Sequence, residues 1–508
     1  MAHALAHAEA GTTPARRFVV REQTVAVLVI FLVAFAARLL PTLNGSGLFG
    51  LHFYDDGVHF GAAVGLVHGR LPYRDFLLLH PPGIVVILAP FAEIGRWISD
   101  GRGFGLARLA FMALGGVNAV LVSHYLRDVG RFAAWFGGLF YALFWPAVYS
   151  EHTVLLEGPA NTCLLLALLL LTRRDGLAPR NARLLGAGAL LGLAMTVKMW
   201  GVVPVLVLFG WLAVRLHWRA AWLFLLGAAA STTVVCLPFF LAAPRSMWQM
   251  VVVDQLQRTE ATLPVVHRLK EIAGLSLYRL PDQTTPMLVI TCVLLVLSAV
   301  AAAFHPRGRL ATLLLAVLVT VLLLTPSWFL HYAAFSAPAV ALVVGVAVHQ
   351  LRALLPRTSV APIVVSVALA VALSVFAAPL ATAKIGSRFP GRTLAAAVAD
   401  RPGCVTSDHP SALILMNVLS RNLERDCPLV VDLGGAAYHL PSPGRGVVSR
   451  RKNPVWQRYA LDYLSSGDTV ILARFYRDYG FSKQYYNVVW TWRTVLPVGR
   501  FTLRDPSP

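Results

Sequence analysis

Apolar side chains in this chain come in long runs separated by short polar stretches, at residues 24–41, 105–126, 132–150, 159–172, 184–199, 201–214, 220–241, 285–304, 310–328, 333–351 and 360–383. A helix of roughly 20 such residues crosses the ~30 Å hydrocarbon core of a bilayer. The alternating pieces of ~10 residues that build a membrane barrel are not seen. The pattern predicts an all-α polytopic membrane protein with about eleven transmembrane helices. One more apolar stretch, Gly83–Ile98, is short and is interrupted by Pro90, Glu93 and Arg96. Beyond residue 383 the texture changes: CVTSD (404–408) and DTVILARFY (468–476) read as strands and SALILMNVLSR (411–421) as a helix between them. Residues 384–508 are therefore expected to form a small α/β domain.

Composition agrees with this picture and charge placement orients it. The 508 residues are 57% hydrophobic and 13% charged, against roughly 25% charged in soluble domains. The net charge of +20 is not gathered into one soluble patch; much of it is arginine between apolar runs, and no nucleic-acid partner is expected. If 83–98 stays on the outer side as an interfacial helix, one set of loops carries Arg127 and Arg131, then Arg173, Arg174, Arg180 and Arg183. The same side receives Arg215, Arg219, Arg307, Arg309, Arg352 and Arg357, while the short loops 151–158 and 329–332 hold no Lys or Arg. By the positive-inside rule the amino terminus is cytoplasmic, the loop 42–104 is outside, and so is the tail. Residues 1–23 form the cytoplasmic segment and 24–383 the membrane domain of a multi-pass cell-membrane protein. The first run contains a cleavage-like Ala34-Phe35-Ala36 but ends in Arg38-Leu39-Leu40-Pro41, so it reads as an uncleaved span.

Cysteine usage fits that sidedness. Cys163, Cys236 and Cys292 fall in apolar runs, whereas Cys404 and Cys427 are the pair in the tail, where an outer compartment permits a disulfide.

Ionisable groups at the ends of spans carry the functional information in such a chain. The densest set follows the first span: Tyr54, the adjacent Asp55 and Asp56, then His59 and His80. Neighbouring helical side chains point about 100° apart. One aspartate can thus face a reaction centre while the other caps a helix beginning near Gly57. A second acidic cluster, Glu151 and Glu157, lies between the third and fourth spans. Lys198 sits at the outer end of a short span, and Arg108 and His331-Tyr332 are similar boundary groups. A carboxylate pair, a further carboxylate and a cation on one side suit transfer of a sugar from a lipid-linked phosphate. A carboxylate accepts the proton of the attacking hydroxyl, and a cation holds the leaving phosphate. One base and direct displacement give inversion; a hydrolase would want a paired acid and base. No zinc pattern is present, and His52, His59, His68 and His80 are too scattered to make one.

Tyr54-Asp55-Asp56, Gly69-Arg70-Leu71-Pro72-Tyr73-Arg74-Asp75 and His80-Pro81-Pro82-Gly83 together resemble the first outer loop of GT-C glycosyltransferases. The nearest branch holds the protein mannosyltransferases and the lipid A aminoarabinose transferase. The resemblance implies a GT-C membrane domain with juxtamembrane helices in 42–104 and a catalytic base at Asp55 or Asp56, Asp55 being favoured. Tyr54 and His80 would belong to that loop's substrate site. It also implies that Glu157, or next Glu151, is the second-loop acid, and that Thr196-Val197-Lys198 contacts the donor phosphate. His331-Tyr332 stands where relatives often carry Arg-Tyr, a departure at a position that would bind phosphate. No cofactor is expected, although some GT-C enzymes use a divalent cation. The expected partners are the lipid bilayer, a polyprenyl-phosphate-linked sugar of the arabinose or mannose type, and a glycan, glycolipid or protein acceptor. The basic tail suits anionic glycan or lipid headgroups.

Two other classes compete. A lipid-linked sugar transporter or flippase would place its ionisable groups near the membrane midplane, often in repeated halves; here they gather at span ends and no repeat is found. A noncatalytic scaffold would tolerate neutralisation of Asp55 and Asp56.

Overall fold

The computed structural model of the chain describes residues 14–172, 180–258, 263–277, 284–356, 360–442, 449–473 and 480–506. Arg173, Arg174 and Arg357, counted above for orientation, and the first 13 residues lie outside the described residues. Among the described residues, seven helices are long and apolar enough to cross a bilayer: Glu22–Gly45, Asp100–Leu126, Trp218–Ala242, Thr285–Ala303, Pro306–Leu324, Leu330–Ala353 and Ala361–Thr382. Arg131–Leu143 and Trp145–Glu151 make an eighth if counted together; they meet at a 56° bend, where Pro146 occupies the first turn of the second piece. Glu157–Leu171, Asn181–Val197 and Met199–Arg215 are shorter apolar helices. Every apolar run of the sequence falls on one of these elements, and the chain is a multi-pass membrane protein.

Burial separates the centre of the bundle from its rim. The apolar window of Leu330–Ala353 is 94% buried, whereas that of Ala361–Thr382 is 6% buried. An arginine inside the first span would be expensive without partners. Arg38 has them: its Nε donates to Glu151 Oε2 at 3.0 Å, and its Nη1 donates to the carbonyls of Ala34 and Ala142. Asn118 and Tyr141 both donate to the other oxygen of Glu151 at 2.7 Å. This buried network joins the first span to Asp100–Leu126 and to the bent pair.

The loop 42–104 contributes two helices. Tyr54–Val67 begins earlier than the sequence suggested, with Phe53 in the capping position. Neither aspartate is therefore a cap; both lie in the first turn, where an acidic side chain opposes the helix dipole favourably. Gly83–Ile98 buries Ile84, Val85 and Leu88 and turns Val86, Ile87, Ile94 and Trp97 outward. It starts at a glycine because Thr196 passes so close that a Cβ would stand 2.4 Å from its hydroxyl.

The tail carries a four-stranded sheet in the order β1-β2-β4-β3, with β1 Val405–Ser407, β2 Thr469–Leu472, β3 Arg493–Val498 and β4 Phe501–Asp505. β1 and β2 run parallel; the other pairings are antiparallel. The β3–β4 hairpin turns at Gly499, whose φ of +60° suits a residue without a Cβ. The single helix expected over 411–421 is instead two, Pro410–Leu415 and Leu419–Glu424, separated where Asn417 takes a left-handed conformation. Cys404 and Cys427 are joined by a disulfide that links the start of the sheet to the end of the second of these helices.

The tail docks on the loop 42–104. The Gly101 N–H donates to Asn417 Oδ1, and Ser420 donates to Asp100 through both its N–H and its hydroxyl. Leu51 pairs with Ser387 as an isolated bridge. Gly57 faces Ser411 so closely that a Cβ would lie 2.2 Å from the serine hydroxyl.

Candidate active site

Between the loop 42–104, the adjacent ends of the spans and the tail lies a cavity of about 610 Å³. Asp55 and Asp56 open the helix Tyr54–Val67, and the turn of the helix sends them to different places. Asp55 lines the cavity, with a third of its side chain exposed. Asp56 is wholly buried and clamped: Arg108 Nη2 donates to its Oδ2 at 2.7 Å, Thr153 to the same oxygen at 2.8 Å, and Ser411 to Oδ1 at 3.1 Å. Burial by itself would raise the pKa of Asp56. The Arg108 charge and the hydrogen bonds from Arg108 and Thr153 outweigh it and hold the carboxyl below the usual range. Arg108 also donates to the carbonyls of Leu48 and Gly50, so the stretch of chain entering the helix is fixed to the span Asp100–Leu126.

Behind the wall opposite Asp55 stands a second charged group. Glu157, at the first turn of its helix, accepts from Lys198 Nζ and, on its other oxygen, from Ser150 at 3.1 Å. Lys198 lies over the ring of Tyr332 at 4.1 Å and over that of Trp200 at 4.7 Å. The lysine charge is thus matched by a buried carboxylate and covered by aromatic faces. His331 connects this pair to the cavity: its Nε2 is 3.8 Å from Glu157 Oε1 and 4.0 Å from Asp55 Oδ2. His331 and Tyr332 line the cavity, and Lys198 and Glu157 sit behind them. Glu151 is elsewhere, in the Arg38 network inside the bundle.

Tyr54 and His80 line the cavity as well. The Gly434 N–H donates to the Tyr54 hydroxyl at 2.9 Å, which holds the first loop to the tail. His80 packs half-buried against His59, and burial, followed by the His59, Arg258 and Lys198 charges, pulls its pKa well below the ordinary imidazole value.

The sequence offered little warning of the other polar wall residues. Arg258 is buried over the ring of Tyr438 at 4.6 Å and lines the cavity. Its Nε finds no hydrogen-bond partner among the described residues. The tail supplies Arg450, Arg500, His409 and Asp432. Burial raises the pKa of Asp432, against the lowering effects of the Gly435 N–H, the Arg258 and Arg450 charges and the Tyr54 hydroxyl. Arg258 is one of several cations in the stretch 242–284, and Asp432 follows an apolar run; neither belongs to a motif. Among the described residues no group of three or more His, Cys, Asp or Glu converges to hold a metal ion.

The arrangement offers two carboxylates, Asp55 and Asp432, with histidines lining the same space and arginines on the walls. Such a set can accept a proton from a hydroxyl and hold an anion a short distance away.

The model of glycosyltransferase family 87 matches residues 78–326, a little under half of the chain. The match starts after Asp55 and Asp56 and ends before the tail. The fold is similar to that of ArnT from Cupriavidus metallidurans bound to undecaprenyl phosphate, with a TM-score of 0.62 at 16% identity over 96% of this chain and 98% of that one. It is also similar to the archaeal oligosaccharyltransferase AglB from Archaeoglobus fulgidus in complex with an inhibitory peptide and a dolichol-phosphate. There the TM-score is 0.53 at 11% identity, over 90% of this chain and 70% of the other. No curated protein sequence matches the chain.

Proposed function

We propose that this chain, whose fold is similar to that of ArnT and whose residues 78–326 match glycosyltransferase family 87, is a membrane glycosyltransferase that transfers a sugar of the arabinose or mannose type from a polyprenyl-phosphate donor to a cell-envelope acceptor. The observation that carries the reading is the divergence of the two aspartates: Asp55 opens into the cavity, whereas Asp56 is committed to Arg108, Thr153 and Ser411.

In this mechanism Asp55 takes the proton of the acceptor hydroxyl as its oxygen attacks the anomeric carbon. The bond from that carbon to the phosphate oxygen breaks, the configuration inverts, and polyprenyl phosphate leaves with the electron pair. Its dianion needs no proton from an acid, and Arg258, which has a nitrogen to spare, is placed to receive it. Lys198 acts through Glu157 and His331: the pair fixes the imidazole against which Asp55 is set. Asp56 positions rather than reacts, holding the helix that presents Asp55. His80, Tyr54, Tyr332 and the tail residues Asp432 and Arg450 line the space left for the two substrates.

We place the protein in the cell membrane with its amino terminus in the cytoplasm, eleven spans within 24–383, and the cavity and the 384–508 domain on the outer side. The support is the arginine asymmetry of the loops and the clustering of the site at one end of the bundle. The acceptor is a polysaccharide, a glycolipid or a protein.

The decisive experiment measures sugar transfer by nanodisc-held protein from labelled polyprenyl-phosphate sugars to envelope acceptors, comparing wild type with Asp55→Asn. Loss of at least about a hundredfold, the lower end of what general-base catalysis provides, with folded protein retained supports the assignment. Transfer at wild-type rate by Asp55→Asn overturns it, and flipping of the lipid-linked sugar without transfer moves the protein to the transporter class.

A further inference from the structure

The end of the bundle remote from the candidate active site holds a larger cavity, of about 940 Å³. Its position follows from the helices that build it. Glu157–Leu171 and Asn181–Val197 bring Glu157 and Lys198 to the active site at one end, and Thr172 and Arg180 to this cavity at the other. Arg127, Arg180, Arg183 and Arg307 line it, and Asp128 is the one carboxylate among its described lining residues. Asp128 pairs with Arg307 at 2.9 Å, and Arg127 contacts His124 Nδ1 at 3.1 Å. The lining therefore carries a surplus of positive charge. The rest of the wall is apolar, with Leu166, Leu169 and Leu170 from one helix and Leu190 from the next, all half-buried.

Loop arginines alone would satisfy the positive-inside rule without forming a concave site. The helix ends say more. Asn181–Val197 and Pro306–Leu324 both start at this cavity, and neither has an acidic residue in its first turn. A helix amino terminus carries a partial positive charge and unpaired N–H groups, so anions are favoured there and cations are not. Here the first turns present Arg183 and Arg307, with Arg180 just before the first of them. Cations gathered at two positive helix ends, above a leucine wall, make a site where a further anion is favoured.

We propose that this recess binds an anionic phospholipid, with its phosphate among Arg127, Arg180, Arg183 and Arg307 and an acyl chain along the leucines. Basic pockets between spans are known receptors for such headgroups. The leucine wall favours a lipid over a soluble phosphate, which would leave it uncovered.

The test is native mass spectrometry of the full chain released from nanodiscs containing phosphatidylglycerol and phosphatidylcholine in equal amounts. Wild type is expected to retain phosphatidylglycerol preferentially. Each arginine near a membrane surface strengthens such binding about fivefold, so Arg180→Gln with Arg183→Gln lowers retention about 25-fold. Arg219→Gln, which does not line the cavity, is expected to leave it unchanged. Equal retention of the two lipids by wild type, or equal retention of phosphatidylglycerol by wild type and the double variant, overturns the proposal. Displacement of the lipid by millimolar inorganic phosphate also overturns it, since the recess would then be a soluble-anion site.

Discussion

Replacing Asp56 by asparagine tests the division of labour between the two aspartates. The carboxylate and the Arg108 guanidinium are both fully buried, 2.7 Å apart. Asparagine has nearly the same shape but no charge, so Arg108 is left as an uncompensated cation in a dry site. Breaking one partner out of a buried pair of this kind costs about 3–5 kcal/mol. The substituted side chain would also present an amide nitrogen to donors that now point at two carboxylate oxygens, Thr153 and Ser411 among them. We expect Asp56→Asn to lower thermal stability in detergent by about that amount, whereas Asp55→Asn, at a position that faces the open cavity, changes it by less than about 0.5 kcal/mol. Asp56→Leu with Arg108→Met should recover part of the loss, because an apolar pair replaces the ionic one; recovery is incomplete since the carbonyls of Leu48 and Gly50 lose their donor. The pH dependence has a definite sign. The folded pKa of Asp56 lies below its unfolded value of about 3.9. Its contribution is therefore present above that pH and is lost as pH falls through the folded value, so wild type and Asp56→Asn should converge only in strong acid. The assay is unfolding of purified protein followed by tryptophan fluorescence, run beside sugar transfer. If Asp56→Asn abolishes transfer without loss of stability while Asp55→Asn transfers normally, the roles assigned to the two residues are reversed.

Two further outcomes are expected. Arg258→Gln should raise the donor KM about 10- to 100-fold, the range for a hydrogen bond to a charged group of about 1.5–3 kcal/mol, with a smaller change in the acceptor KM; an unchanged donor KM refutes its phosphate role. Gly57→Ala places a Cβ 2.2 Å from the Ser411 hydroxyl and should loosen the tail, seen as faster protease cleavage within 384–508. Gly61→Ala on the same helix, where the nearest atom would be Val431 Cγ1 at 3.5 Å, is the control expected to cleave like wild type.

The membrane architecture was legible because its cause is local: each apolar run answers to the thickness of a bilayer, whatever its neighbours do. The bend before Trp145 and the short helices from Glu157 to Arg215 leave the same apolar signature, so the runs were found although their shapes were not. The acidic pair was also visible, as adjacent charges after a span. Which aspartate opens to the cavity was not, because the partners of Asp56 come from positions 108, 153 and 411. Lys198 looked like a lone cation, and its neutralising carboxylate is 41 residues away. The arginines and Asp432 on the far wall carried no local pattern at all; the sheet and its loops bring them to the cavity. The β3–β4 hairpin was missed since β3 carries an unalternating Val-Leu-Pro-Val run with a proline and β4 is only five residues long.

The wall that the tail contributes also bears on how the protein is made. Tyr54 is tied to Gly434, Asp56 to Ser411, and Arg450 and Arg500 face the same space, so the cavity acquires its full outline only when residues near position 500 have reached their places. A ribosome-bound intermediate with its membrane helices already inserted would possess Asp55 but lack the far wall. Such a nascent chain would present an open groove there, and the cavity would close only once residues 409–500 had folded onto it.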